Sequence, residues 1–165
     1  MKKIAIASLL VLAGASAQAQ TIYGDVAYQM LDTDLTTDPA ALRATLGLEF
    51  TPMLAGEVML GLNARKGKET VDGITVTAKI DRLVGVYVKP KFKLNESVEL
   101  YGRAGFVSSK VSASALGSSV SDSTSGFSYG IGASYYITPA LSINVDYMDY
   151  DELDGGIAIG MKYAF

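Results

Sequence analysis

Ten charged residues share the polar parity of alternating segments: Asp25, Arg43, Glu49, Glu57, Arg65, Lys79, Glu99, Arg103, Asp146 and Lys162. Paired carboxylates of this kind could do general acid/base work, as in glycoside hydrolysis, where a substrate must enter between them. Glu49 and Glu57 flank a short turn and should face each other, so a cation is expected between them. Glu49, Glu57, Glu99, Arg103 and Lys162 are therefore expected to form one internal charge network, because buried charges must be paired and hydrogen-bonded. Such a network would fill the interior and fix the strand register, and a filled interior admits no substrate. A switchable gate for small ions is the alternative use of the same residues.

Other chemistry is narrowly bounded. The chain has no His and no Cys, which removes His-based triads, thiol nucleophiles and His- or Cys-ligated metal sites. Serines recur between Ser108 and Ser125, but Lys110 is the sole neighbouring base, so a solvated and mobile surface loop is expected there. Asp149, Asp151, Glu152 and Asp154 form an acidic cluster with the D-x-D spacing of a calcium loop but without its twelve-residue frame. It reads as an acidic rim, able at most to bridge divalent cations to lipopolysaccharide. No catalytic residue, metal site or cofactor is expected.

The elements that must position these residues alternate with a period of two. Near the end of the chain Ile157, Ile159, Met161, Tyr163 and Phe165 oppose Gly156, Ala158, Gly160, Lys162 and Ala164. Val84, Val86 and Val88 oppose Leu83, Gly85, Tyr87 and Lys89 in the same manner. Eight such segments are predicted, joined alternately by short turns (Pro52-Met53-Leu54, around Leu94-Asn95-Glu96, Thr138-Pro139-Ala140) and long polar connections. The long ones are expected at about 31–41, 66–75, 108–126 and 149–155. Short turns on one rim and longer loops on the other predict an all-β, eight-stranded antiparallel up-and-down transmembrane β-barrel.

Export is written at the start. Met1-Lys2-Lys3, an apolar run from Ile4 to Ala13 and Ala17-Gln18-Ala19 make a three-part secretory signal. Residues 1–19 are assigned to it and 20–165 to the barrel, so cleavage leaves 146 of the 165 residues. Loss of Lys2 and Lys3 takes the formal charge from −3 to −5, and no basic patch suited to nucleic acid is evident. The polar face is rich in Gly, Ala and Ser, which suits a narrow barrel interior, and the face of Val, Leu, Ile and aromatics suits hydrocarbon. Threading the strands predicts two aromatic girdles, with Phe50, Phe92, Tyr135, Tyr163 and Phe165 at the periplasmic rim and Tyr28, Phe106, Phe127 and Tyr147 at the outer rim. Arg82 violates the pattern by falling on the lipid-facing parity. Either it lies at the outer rim or a bulge switches the phase there.

Three stretches carry a resemblance. Tyr136-Ile137-Thr138-Pro139-Ala140-Leu141-Ser142 with Asp146-Tyr147, and Leu94 to Gly105, resemble turn-and-strand regions of OmpA-like transmembrane barrels. The terminal Gly160-Met161-Lys162-Tyr163-Ala164-Phe165 resembles the C-terminal assembly signal of outer-membrane proteins. The resemblance implies residence in the bacterial outer membrane and presentation of Tyr163 and Phe165 to the outer-membrane assembly machinery. The chain stops at Phe165, so barrel-only relatives of the OmpX and opacity-protein type are the nearer likeness, and peptidoglycan tethering is not carried over. Their implied role is structural or cell-surface interaction, such as adhesion or envelope integrity, without enzymatic activity. Implied partners are outer-membrane lipid, lipopolysaccharide and host or surface ligands met by the loops. A low-conductance pore and a soluble periplasmic ligand-binding barrel are the competing functions.

Overall fold

The computed structural model describes residues 21–33, 36–71, 74–115, 118–151 and 153–165. The signal segment and Glu152 lie outside them, as does the side chain of Asp154. The chain runs β1 (Ile22–Leu31), β2 (Ala40–Thr51), β3 (Leu54–Arg65), β4 (Gly67–Val71), β5 (Ile74–Lys93), β6 (Val98–Ala115), β7 (Ser118–Tyr136), β8 (Leu141–Tyr150) and β9 (Leu153–Ala164). All neighbours are antiparallel. The β1–β9 and β3–β5 pairings close the sheet into an eight-stranded barrel, with β4 extending the wall strand of β3 beyond Lys66. Among the described residues, closure leaves no unpaired strand edge in the wall, the condition a sheet must meet in hydrocarbon.

Short turns are built by local chemistry. Asn95 Oδ1 accepts from the backbone N–H of Ser97 and Val98, both at 2.9 Å, fixing the β5–β6 connection. The Thr138 hydroxyl accepts from the Leu141 N–H at 3.0 Å and does the same for β7–β8.

The alternation resolves into two surfaces. Polar and charged side chains point inward and are buried, while Val, Leu, Ile and aromatics point outward, Ile131 at 73% exposure and Phe165 at 77%. This is the inverse of a soluble barrel; in water it would expose one continuous apolar belt. All nine expected girdle aromatics are exposed on the outer surface. Rings contact one another at each rim: Tyr163 and Phe165 lie 5.3 Å apart, and Phe106 and Phe127 5.7 Å apart.

Three of the expected long loops are instead largely ordered strand, the 149–155 stretch through the ends of β8 and β9, paired to Tyr150↔Leu153. Residues 108–115 of β6 pair with 118–125 of β7, from Ser108↔Ser125 to Ala115↔Ser118, and within the 66–75 stretch β4 pairs with β5 up to Val71↔Ile74. Small polar side chains satisfied the expectation of a loop, but they suit a solvated ribbon equally well once both strands are long enough to pair. The result is a four-stranded sheet, β4-β5-β6-β7, standing above the barrel wall. Among the described residues, β7 above Phe127 pairs only with β6.

A register shift between Ile80 and Arg82 marks a bulge at Asp81. Below it Leu83 points inward; above it Ile80 does, and both are buried. The bulge reverses the parity of β5, so Lys79 turns outward and is not luminal. Arg65 is likewise exposed at the rim, where its Nε donates to the Asp38 carbonyl at 2.9 Å.

Candidate functional site

Glycine makes the central luminal site possible. The Tyr23 ring lies across Gly47, its cross-strand neighbour on β2, in space that a Cβ there would fill. The phenol thereby reaches the next strand and donates to Glu57 Oε1 at 2.6 Å. The same device recurs across the barrel. The Tyr101 ring covers Gly132, its partner on β7, and its hydroxyl donates to Asp146 Oδ2 on β8 at 3.0 Å.

Between these two carboxylates sits Arg103. Its Nε donates to Glu57 Oε2 at 2.5 Å and its Nη1 to Asp146 Oδ2 at 2.6 Å. Arg43 completes Asp146 with two parallel bonds, Nη1 to Oδ1 at 2.8 Å and Nη2 to Oδ2 at 2.6 Å. Lys89 completes Glu57 at 3.1 Å, with its ammonium 4.1 Å from the Tyr101 ring centroid and 5.1 Å from that of Tyr23. Forked guanidinium–carboxylate pairs of this kind are the strong form of ion pair in a dry interior.

A second cluster lies nearer the periplasmic mouth. Glu99, fully buried, accepts from Lys162 Nζ at 3.3 Å and from the Tyr136 hydroxyl at 3.0 Å, with Lys91 Nζ 3.8 Å away. Lys91 also pairs with Glu49. The Tyr23 ring lies between the clusters, 5.1 Å from Lys89 Nζ and 5.4 Å from Lys162 Nζ.

Of the five residues expected in one network, the structure puts Glu57 with Arg103, and Glu99 with Lys162. Glu49 is not joined to Glu57 through a shared cation; each has its own, Lys91 and Lys89. Lys89 and Lys91 lie outside the expected set of inward charges, although Lys89 carries the inward parity of Tyr87 and Lys91 continues it. Among the described residues, five luminal acids (Asp25, Glu49, Glu57, Glu99, Asp146) face five luminal bases (Arg43, Lys89, Lys91, Arg103, Lys162), so acidic and basic side chains are equal in number. Asp25 sits beside no cation within 4.0 Å among the described residues; its Oδ2 accepts from Asn144 Nδ2 at 2.6 Å.

Toward the outer end the lumen changes character. Gln29 donates to the Tyr150 hydroxyl at 2.7 Å. Leu31, Ala41, Met59, Ile80, Leu83, Tyr87, Val107, Met148 and Tyr150 then pack together as a buried apolar plug. Nothing in the inward alternation marked these positions as a separate layer, because they come from six strands that meet only on closure. The lumen is thus filled by ion pairs below and hydrocarbon above.

At the outer surface Asp149 and Asp151 occupy the β8–β9 end of the rim, where the Asp151 N–H donates to the Phe127 carbonyl at 3.0 Å. Across the barrel, Lys66, Lys68, Arg82 and Lys110 are exposed on or beside β3 to β6. Lys79 pairs with Asp81 at 2.7 Å, and the Ser112 hydroxyl donates to the same carboxylate. The bond to Lys79, followed by that to Ser112, holds the Asp81 carboxyl below its ordinary range.

The comparisons with known proteins agree with this architecture. A sequence model described as "Outer membrane protein beta-barrel domain" matches residues 4–165. The attachment invasion locus protein of Yersinia enterocolitica is 36% identical over 84 residues, covering 48% of this chain and 47% of that protein. The match thus spans about half the length of that relative. Among solved structures, Ail, the attachment invasion locus protein of Yersinia pestis, in complex with the heparin analogue sucrose octasulfate, is 27% identical. That likeness covers 88% of this chain and 97% of Ail with a TM-score of 0.60. Neisserial surface protein A shares the fold at 16% identity and a TM-score of 0.63, covering 92% of this chain and 100% of its own.

Proposed function

The chain belongs to the outer-membrane protein β-barrel family, and from that premise we propose a non-enzymatic, cell-surface attachment role carried by the strands that project beyond the membrane. The observation behind this reading is the contrast between a closed lumen and an extended outer sheet. Luminal carboxylates are engaged by cations, tyrosines or Asn144, and the apolar plug lies across the outer end, which disfavours both substrate access and an ion path. The β4-β5-β6-β7 sheet instead presents exposed backbone and small polar side chains where an external partner can dock. Attachment in the named relatives supports the same direction, and the sulfated ligand of Yersinia pestis Ail makes sulfated polysaccharide a first partner to try.

The rest of the partner set follows from membrane residence. The signal segment delivers the chain to the periplasm, Tyr163 and Phe165 are read by the assembly machinery, and lipopolysaccharide surrounds the finished barrel. The luminal ion clusters are structural, fixing the register of the strands they connect.

The test is cell attachment. Cells displaying the full barrel should adhere to heparin-coated surfaces, and adhesion should fall at least tenfold when residues 111–122 are replaced by Asn-Gly. Unchanged adhesion by the shortened form would sink the proposal. Planar-bilayer recordings of the refolded protein should show no current steps; discrete steps would favour the pore instead.

A further inference from the structure

Arg82 is the residue that the barrel pattern does not absorb. It sits on the outward parity of Val84, Val86 and Val88, two positions above the last of the apolar lipid-facing residues of β5. Its direct cross-strand partner on β6 is Lys110, and both are exposed. Like charges placed directly opposite each other on one sheet face are destabilising, so the pair calls for an anion between them. Among the described residues none lies within 4.0 Å of either cation: Asp81, the adjacent carboxylate, is engaged by Lys79 and Ser112, and Lys110 acts on it only from farther away. No ion pair to Arg82 or Lys110 occurs among the described residues.

The height of the pair identifies the anion. Leu62 flanks Arg82 on β3, and Val84, Phe106 and Phe127 lie below on the same face. Two residues of a tilted strand rise roughly 5 Å. The headgroup layer above the hydrocarbon is about 5–7 Å thick, so both cations fall within it. Ser108 and Ser123 place hydroxyls on the same outward face, paired with Val84 and Lys110. A planar guanidinium fork with an adjacent ammonium and two hydroxyls suits a phosphate group.

We propose that Arg82 and Lys110 form a binding site for the phosphate of an outer-leaflet glycolipid whose acyl chains lie against Val84, Val86 and Phe106. The site rests on the outer-membrane reading above and gives it a specific lipid contact. The bulge at Asp81 sets the level above the pair: unbroken alternation through Asp81 would turn Lys79, rather than Ile80, toward the luminal plug.

The experiment is a native mass-spectrometric titration of the refolded full barrel in neutral detergent with bis-phosphorylated lipid A. Each surface cation is worth about 1 kcal/mol against an anionic lipid surface, or roughly a fivefold change. Arg82→Gln and Lys110→Gln should each weaken binding by about fivefold, and the double variant by roughly 25-fold. Lys68→Gln, with the same change of charge higher on the sheet, should leave it unchanged. Dephosphorylated lipid A should bind the native and double-variant barrels alike. Equal lipid A binding by native and double-variant protein overturns the proposal, as does an equal loss in Lys68→Gln. Displacement of lipid A by millimolar inorganic phosphate would point to a free-anion site and also overturn it. A loss confined to a heparin fragment would assign the pair to a soluble polyanion instead. Heat-modifiable gel mobility separates the failures: its absence defeats the membrane-barrel reading itself, whereas folded barrels that ignore the lipid phosphate defeat only the site.

Discussion

The two halves of the lumen hold the same wall together by different means. In the periplasmic half, Arg103 joins Glu57 to Asp146 and Lys162 joins β9 to Glu99 on β6, so that strands distant around the barrel are tied by charge. In the outer half, nine side chains from Leu31 to Tyr150 meet by apolar packing, with Tyr150 also hydrogen-bonded to Gln29. The difference is one of tolerance. A packed apolar layer relaxes partly around a lost methylene, whereas a buried ion left without its partner has no solvent to turn to. Register is therefore dictated chiefly by the charged half, and the plug seals whatever register the charges select.

The largest effect that could break this comparison is at Arg103. Arg103→Leu removes the cation shared by Glu57 and Asp146 and should cost about 3–5 kcal/mol, read from urea unfolding of the refolded protein in phospholipid vesicles. A cost below that of a plug substitution would reverse the ranking of the halves. Leu83→Ala, at the centre of the plug, should cost about 2–4 kcal/mol in the same assay. It should also leave the strand register intact, checked by amide hydrogen exchange of β5. Gly47→Ala pushes the Tyr23 ring off the wall and should cost roughly 1–3 kcal/mol. Tyr23→Phe keeps the packing but loses the bond to Glu57, and should cost about 1–2 kcal/mol. If those two variants behave alike, the glycine serves the hydrogen bond rather than the volume. The smallest effect lies outside the membrane, at Asp81. Lys79 and Ser112 lower its titration, so the folded-state interaction is complete above the ordinary carboxylate range and is lost only as pH falls through the depressed value. Carboxyl NMR of a Lys79→Gln variant should show that titration move up toward the ordinary range.

Much of the wall was legible in the residues. Alternation in β1, β8 and β9 placed Val26, Val145 and Ile159 outward and Asp25, Asn144 and Lys162 inward, because a pleated strand gives successive side chains to opposite faces. Girdle aromatics such as Phe106 and Tyr163 were readable for the same reason. The projecting sheet was not, since Ser-rich strands and Ser-rich loops share a composition and differ only in whether a partner strand is present. The Asp81 bulge was visible only as an anomaly at Arg82. Lys89 was readable by parity, but its placement between two tyrosine rings was not.

Period-two alternation, the turn residues and the missing His and Cys determined from the sequence alone that this is an eight-stranded membrane wall with a polar interior and no histidine or thiol chemistry. Those properties are local: each depends on residues a few positions apart. Only closure of the barrel decided that Arg103 would bridge Glu57 and Asp146, that Glu49 would take Lys91, and that nine apolar residues would meet as a plug. Such contacts join residues 46, 43, 42 and more positions apart along the chain. Their geometry is set by strand tilt, stagger and bulges summed around the whole sheet.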